Sequence, residues 1–152
     1  MTDAASSPDI LRFVHVGLST SDLARSIRLF EALGFEVTAP VRYAGGQLER
    51  IVGVPSAAIE AAYARGHGFE VELLHYVAPA DRKGSELRPC DPGHAHLAFY
   101  VADLDAMLAS LAAHGFAAAN PPEHVAAVGR RTVYAYGPDR LVLELSEIVP
   151  PA

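Results

Sequence analysis

The sequence is poor in cysteine, in basic residues and in long apolar runs. Cys90 is its single cysteine, so no disulfide can form within the chain, and we expect a reduced cytoplasmic setting. No apolar stretch approaches the roughly 20 residues that span a bilayer. The N-terminal residues MTDAASSPD contain no basic segment followed by an apolar run, so they lack the pattern of a secretory signal. Together these absences argue against a secreted, disulfide-bonded or membrane-spanning protein.

The balance of charge is acidic. Lysine and arginine number 12 and aspartate and glutamate number 18, which gives a formal net charge of -6. Nucleic acids and anionic membranes need clustered basic residues, so neither is an expected partner. Hydrophobic residues make up 51% of the 152 residues, which is enough for a hydrophobic core. We therefore expect one globular domain over residues 1–152.

An internal repeat divides the chain into two halves. The segment HVGLSTSDLARSIRLFEALGF begins at His15, and HLAFYVADLDAMLASLAAHGF begins at His96. Identical residues follow the two histidines at equal distances: Asp22 and Asp103, Leu23 and Leu104, Gly34-Phe35 and Gly115-Phe116. The repeat predicts two modules, at about 10–78 and about 92–148. A stretch around 77–93, rich in proline, glycine and charge, connects them.

Each module has the pattern of a strand, a helix and three strands, which predicts an α+β fold of two tandem βαβββ modules. Apolar residues at helical spacing follow the first strand of each module, and Asp22 or Ser21 and Asp103 are suited to cap the helices. Gly34 and Gly115 stand where a helix can end in a left-handed residue. The predicted strands are Phe13–Leu18, Glu36–Thr38, Ala58–Ala64, Phe69–Tyr76, Ala95–Val101, Ala117–Ala119, Arg131–Tyr136 and Leu141–Ser146. Residues 119–129 are predicted to form a long loop.

Strand alternation places four ionisable residues on the face opposite the apolar one: His15, Glu72, His96 and Glu144. Burying a lone carboxylate is unfavourable, and a divalent cation removes that cost for two carboxylates at once. Taken singly, each residue also fits an ordinary hydrogen-bonded or solvated strand position. Because a histidine and a glutamate recur together in each repeat, we predict a metal site. The donor set suits Zn, Ni, Co, Mn or Fe(II) without choosing among them.

Four further residues are candidates for contact with a substrate. His94 shares a strand face with the second histidine, and Tyr100 lies farther along the same face. Glu60 is a weaker candidate for a catalytic carboxylate. Arg88, in the connection between modules, could hold a carboxylate, a phosphate or a thioester carrier. Each of the four also fits a solvated surface role, and His75 is interpreted as structural because alternation places it on the apolar face.

These segments resemble the vicinal oxygen chelate superfamily of glyoxalases, bleomycin-resistance proteins and extradiol dioxygenases. The resemblance rests on the two repeated segments, on VELLHY and on GPDRLVLELSE. It implies that the two modules curve into a cupped, mixed eight-stranded sheet and that the metal ligands come from the first and last strands of each module. It also implies a homodimer. The His, Glu, His, Glu set is similar to that of glyoxalase I.

The resemblance implies a lyase, isomerase or epimerase that transfers a proton next to a metal-bound carbonyl, with Glu144 or Glu72 as the base. The substrate would be a small molecule, such as a thiol conjugate or an acyl thioester. An extradiol dioxygenase, a thiol transferase, and a binding or antibiotic-resistance protein without turnover remain alternatives. The turn Gly137-Pro138-Asp139-Arg140 departs from the Asp-Pro-Asp-Gly of the family, which leaves the substrate open.

Overall fold

The computed structural model describes residues 9–84 and 86–149. Module one runs β1 (Val16–Ser19), α1 (Leu23–Ala32), β2 (Glu36–Val37), β3 (Val41–Ala44), α2 (Gly46–Val52), β4 (Ala58–Gly66) and β5 (Phe69–Ala78). Module two runs β6 (His96–Tyr100), α3 (Leu104–Ala113), β7 (Ala117–Ala118), β8 (Glu123–Val125), β9 (Arg130–Tyr136) and β10 (Val142–Ile148). Within these ranges, no helix has both the length and the apolar character needed to cross a membrane.

The two modules form two mixed sheets with the same topology. The strand order is β1-β5-β4-β2 in the first sheet and β6-β10-β9-β7 in the second. In each sheet the first strand of the module pairs in parallel with the last, and the remaining pairs are antiparallel. The predicted α+β fold of two repeated modules is confirmed. Ten strands replace the expected eight because two short strands share the outer edge of each sheet, β2 with β3 and β7 with β8.

Helices α1 and α3 begin and end where the sequence predicts. The side chain of Asp22 accepts a hydrogen bond from the backbone N–H of Arg25, and that of Asp103 accepts one from Ala106. Both aspartates satisfy N–H groups that the first helical turn leaves without a partner. Gly34 and Gly115 follow the two helices with φ of 82° and 80°, a backbone region that favours glycine.

One hydrophobic core joins the modules. Its largest fully buried side chains come from α1, β5, α3 and β10: Leu29, Phe30, Val71, Leu73, Leu104, Leu111, Leu143 and Leu145. The ring of Phe35 lies edge-on to Phe69 and Phe99 at centroid distances of 5.4 and 6.1 Å, so aromatic contacts cross from one module to the other. Burial of this face leaves the opposite face of each sheet free for polar residues.

A turn of module two is hydrogen-bonded to module one. The Asp139 carboxylate accepts hydrogen bonds from the Thr20 hydroxyl and from the backbone N–H of Ser21, both at 2.8 Å, and from the Ser21 hydroxyl. Burial alone would raise the pKa of Asp139, but the hydrogen bonds from Ser21 and Thr20 outweigh burial and lower it. The next residue, Arg140, has φ of 62°, so a side chain stands where glycine would be unstrained.

Candidate metal site

The first His–Glu pair lies at the open edge of the first sheet. His15 directly precedes β1, and Glu72 lies on the neighbouring parallel strand β5. The distance from His15 Nε2 to Glu72 Oε2 is 3.2 Å, and the His15 side chain is 34% exposed. Gly17 is the register partner of Glu72 on β1 and has no side chain to separate the pair. The imidazole can therefore approach the carboxylate while it stays open to a ligand from outside.

Tyr63 orients the carboxylate of this pair. It is the register partner of Glu72 on β4, and its hydroxyl donates a 2.8 Å hydrogen bond to Glu72 Oε1. That hydrogen bond, together with burial and the negative charge of Glu72, raises the pKa of Tyr63 above its ordinary value. Tyr63 therefore stays a protonated donor at neutral pH and holds one carboxylate oxygen while the other faces His15. Sequence reasoning missed this residue, although the register of the β4–β5 hairpin could have found it.

The second pair repeats this arrangement in module two. His96 begins β6 and Glu144 lies on β10, with 3.3 Å between His96 Nε2 and Glu144 Oε2. Ala98 is the register partner of Glu144 on β6, and Tyr134 is its partner on β9. The Tyr134 ring lies 5.5 Å from the His96 ring. The pair is thus bordered by a small residue and a tyrosine, as in module one.

Both pairs fit two adjacent ligands of a divalent ion. Ligands that bind one ion at about 2.1 Å lie about 3.0–3.4 Å apart, and both N–O distances fall in this range. Within the described residues, however, no three His, Cys, Asp or Glu side chains are grouped closely enough to hold a metal. The structure thus brings the four predicted ligands together as two His–Glu pairs; each pair is a candidate half-site and holds too few ligands to be a metal site by itself.

The other predicted contact residues lie in different places. Tyr100 is exposed on the same strand face as the second histidine. Glu60 is the register partner of His75, and alternation places it on the strand face opposite to that of Tyr63. It forms an ion pair with Arg42. The structure does not bring Glu60 to the half-site.

Two more of the predicted residues lie toward the connection between modules. Arg88 pairs with Asp91 there. His94 lines a cavity of about 350 Å³ together with Asp139. His75 Nδ1 lies 3.0 Å from the backbone oxygen of Thr20, in agreement with a structural role.

The features described so far define a small α+β protein of two repeated modules, each with a His–Glu pair on the open face of its sheet. Residues 14–134 match the model of the Glyoxalase/Bleomycin resistance protein/Dioxygenase superfamily. The chain belongs to this superfamily, as the sequence resemblance predicts. No curated protein matches the chain.

Solved structures share the fold at low identity. A glyoxalase family protein from Bacillus cereus is 22% identical with a TM-score of 0.84, and the match covers 97% of this chain and 100% of that chain. A glyoxalase family protein from Enterococcus faecalis is 22% identical with a TM-score of 0.63 over 90% and 98%. The fosfomycin resistance protein FosX from Listeria monocytogenes, solved with Mn(II) and sulfate, is 15% identical with a TM-score of 0.60 over 91% and 93%. At these identities the likeness shows the fold alone.

Proposed function

We propose that the chain is a metal-dependent lyase, isomerase or epimerase that transfers a proton at a carbon next to a carbonyl group. The observation that carries the proposal is the recurrence of a His–Glu pair with nearly equal N–O distances, 3.2 and 3.3 Å, in both modules. His15, Glu72, His96 and Glu144 are the proposed ligands. A divalent ion of the Zn, Ni, Co, Mn or Fe(II) group fits two imidazoles and two carboxylates.

We further propose that the two half-sites meet across a homodimer. β1 and β6 are end strands of their sheets, so within the described chain each keeps one edge without a strand partner. The segment before β1 is apolar and exposed at Ile10, Leu11, Phe13 and Val14. In a two-fold dimer, β1 of one protomer can lie beside β6 of its partner and the reverse contact forms at the same time. This arrangement would cover the exposed segment and bring each first half-site to a second half-site.

Each proposed site residue has its own role in the proposed reaction. A bound divalent ion supplies Lewis-acid polarisation of a substrate carbonyl oxygen. Glu144 or Glu72 serves as the general base that takes the proton from the adjacent carbon. Tyr63 donates a hydrogen bond to one oxygen of Glu72, whereas Glu144 has only a longer ion pair of 3.6 Å with Arg130, so Glu144 is the carboxylate with more freedom to leave a ligand position. The proposed substrate is a small molecule such as a thiol conjugate or an acyl thioester.

Metal content tests the ligand set. We expect His15→Ala and His96→Ala to lose bound metal, measured by inductively coupled plasma mass spectrometry on protein purified without added metal. His75→Ala is the matched control, because its ring faces the backbone oxygen of Thr20, and it should keep full occupancy. Substoichiometric metal in the unmodified protein, with unchanged stability after chelation, would overturn the metalloenzyme proposal.

Mixing the two metal-free variants tests the shared site. A heterodimer of His15→Ala and His96→Ala chains has one site that lost both histidines and one intact site. After unfolding and refolding together, random pairing restores about a quarter of the wild-type metal sites. If both half-sites of one chain formed a single site, the mixture would restore none. Size-exclusion chromatography with light scattering on each sample shows whether dimers formed, so a failure to assemble is visible.

Deuterium incorporation tests the reaction. The dimer is incubated in deuterated water with hemithioacetals of 2-oxoaldehydes and with acyl-CoA esters, and exchange next to the carbonyl is followed by NMR. Glu144→Gln should abolish exchange, while Glu60→Gln should leave it intact because Glu60 pairs with Arg42 away from the half-site. Fosfomycin with Mn(II) belongs in the same panel, since the fold is shared with FosX. If the protein consumes fosfomycin and no hemithioacetal or acyl-CoA ester exchanges its α-proton for deuterium, the proton-transfer proposal is overturned.

A further inference from the structure

The Arg130 side chain lies beside Glu144 and makes no hydrogen bond to another described residue. It begins β9 and shares the strand face of Tyr134 by alternation. Its Nη2 is 3.6 Å from Glu144 Oε1, which exceeds the length of a hydrogen bond. Its Nε is buried and has no acceptor among the described residues. The side chain as a whole is 32% exposed, so its terminal nitrogens, and not the covered Nε, can donate hydrogen bonds to a group from outside.

Arg130 borders a small cavity of about 70 Å³ with both polar and apolar lining. The other lining residues are Ala98, Phe99, Tyr100, Glu144 and Ser146. The Ser146 hydroxyl is already engaged with Thr132 at 2.6 Å, so the guanidinium is the cationic donor that remains available on this side of the cavity. A cavity of this size fits one small substituent rather than a whole substrate.

In the neighbouring residue of the same strand, Arg131, both terminal nitrogens of the guanidinium have acceptors. Arg131 points to the opposite face by alternation, where both of its Nη atoms contact Asp105 at 2.9 Å and Nη1 also reaches Glu147 at 3.2 Å. The carboxylates raise the pKa of Arg131 by hydrogen bonding. Its role is explained by these contacts, whereas the role of Arg130 is not.

We propose that Arg130 binds an oxyanion group of the substrate, a carboxylate or a phosphonate, while the carbonyl end of that substrate lies at His96 and Glu144. The inference rests on the proposed function and narrows its substrate class to anionic oxo compounds. A planar guanidinium can donate two parallel hydrogen bonds to such a group. The negative Glu144 opposes an incoming anion, so binding strengthens when a divalent ion offsets that charge.

Chelating probes that differ only in their tail test the inference. Acetohydroxamate, malonic monohydroxamate and phosphonoacetohydroxamate share the metal-chelating end, and the last two add a carboxylate or a phosphonate. Their affinities for the metal-loaded dimer are measured by isothermal titration calorimetry. We expect an anionic tail to tighten binding by about tenfold or more, and the better of the two tails identifies the oxyanion. Arg130→Gln should reduce this ratio to near one, and Arg131→Gln should leave it unchanged.

Two variants of Arg130 distinguish binding of the anionic tail from an ion pair that only holds Glu144. Arg130→Lys keeps the positive charge but cannot donate two parallel hydrogen bonds, so the affinity gained from the anionic tail should be only partly retained. Equal weakening of all three probes in Arg130→Gln would assign Arg130 to holding Glu144 and would overturn the inference while the metal proposal stands. Absence of binding by acetohydroxamate itself would instead count against the proposed metal site. In that case binding of inorganic phosphate to the metal-free protein, compared with Arg130→Gln, decides the inference alone.

Discussion

The contact of Asp139 with module one offers a direct test of how the modules are held together. Asp139→Asn keeps the size of the side chain and tolerates the left-handed φ of 52° at this position, because Asn adopts that region more readily than most residues. The change removes the negative charge that accepts hydrogen bonds from Thr20 and Ser21. It also removes a negative charge close to the start of α1, where the helix dipole favours one.

The expected loss follows from those contacts. A hydrogen bond to a charged acceptor contributes about 1.5–3 kcal/mol, and a charge near a helix N-terminus about 0.3–1 kcal/mol. Asp139 is partly exposed and the asparagine oxygen can still accept one bond, so both contributions are reduced. We expect the free energy of unfolding to fall by about 1–2 kcal/mol at neutral pH.

The pH dependence of this loss has a defined sign. The pKa of Asp139 is lowered in the folded protein, so its stabilising contribution is complete above the unfolded value of about 3.9 and disappears as pH falls through the folded value. Urea denaturation followed by circular dichroism, at one fixed protein concentration, should therefore give curves for the two proteins that converge below about pH 4. Asp105→Asn, at an exposed ion pair with Arg131, should change stability much less at neutral pH. A constant difference between wild type and Asp139→Asn across this pH range would refute the reasoning.

Three other changes have expected outcomes. Tyr63→Phe should lower stability by about 1 kcal/mol at neutral pH. Because the pKa of Tyr63 is raised in the folded protein, the stability difference between wild type and variant should shrink above about pH 10. In an absorbance titration of the tyrosines, the variant should lack the group that ionises at the highest pH. An unchanged titration would contradict this prediction. Arg140→Gly should raise the unfolding free energy by about 0.5–1 kcal/mol in urea titrations by relieving the left-handed backbone, and a decrease would show that the Arg140 side chain compensates for its strain. Phe13→Ser should weaken the proposed dimer in sedimentation velocity experiments, whereas Ile51→Ser should not, although the two side chains are 69% and 74% exposed; equal effects would argue against β1 at the interface.

Local patterns predicted a large part of this fold. The helix caps Asp22 and Asp103 and the turns after the helices depend on a few neighbouring residues, and the structure confirms them. Alternation likewise placed Glu72 and Glu144 opposite the buried faces of β5 and β10. These features follow from the geometry of single strands and helices, so they can be read without knowledge of the remaining fold.

Features that depend on pairing between elements were not predictable in the same way. α2 has no buried residue and no side-chain cap, so neither apolar periodicity nor a capping signal marked it. Strand alternation alone could not place Glu60 relative to Glu72, because that needs the register of β4 against β5. The same holds for Arg130, whose distance from Glu144 depends on the register of β9 against β10.

The two half-sites have similar geometry although the sequences of the two modules have diverged, and the strand register shared by the modules explains this. In module two, the parallel register pairs His96 with Val142 and Ala98 with Glu144, so the imidazole and the carboxylate face each other diagonally. A diagonal contact needs a small residue beside the glutamate, which Ala98 provides in this module and Gly17 in the other. At Gly17 an added Cβ would lie 3.9 Å from Glu72 Oε2, so a side chain longer than alanine there would crowd the carboxylate. The requirement for a pair at 3.2–3.3 Å thus explains the small residue two positions after each histidine, a feature that the helical and capping patterns of the repeat leave unexplained.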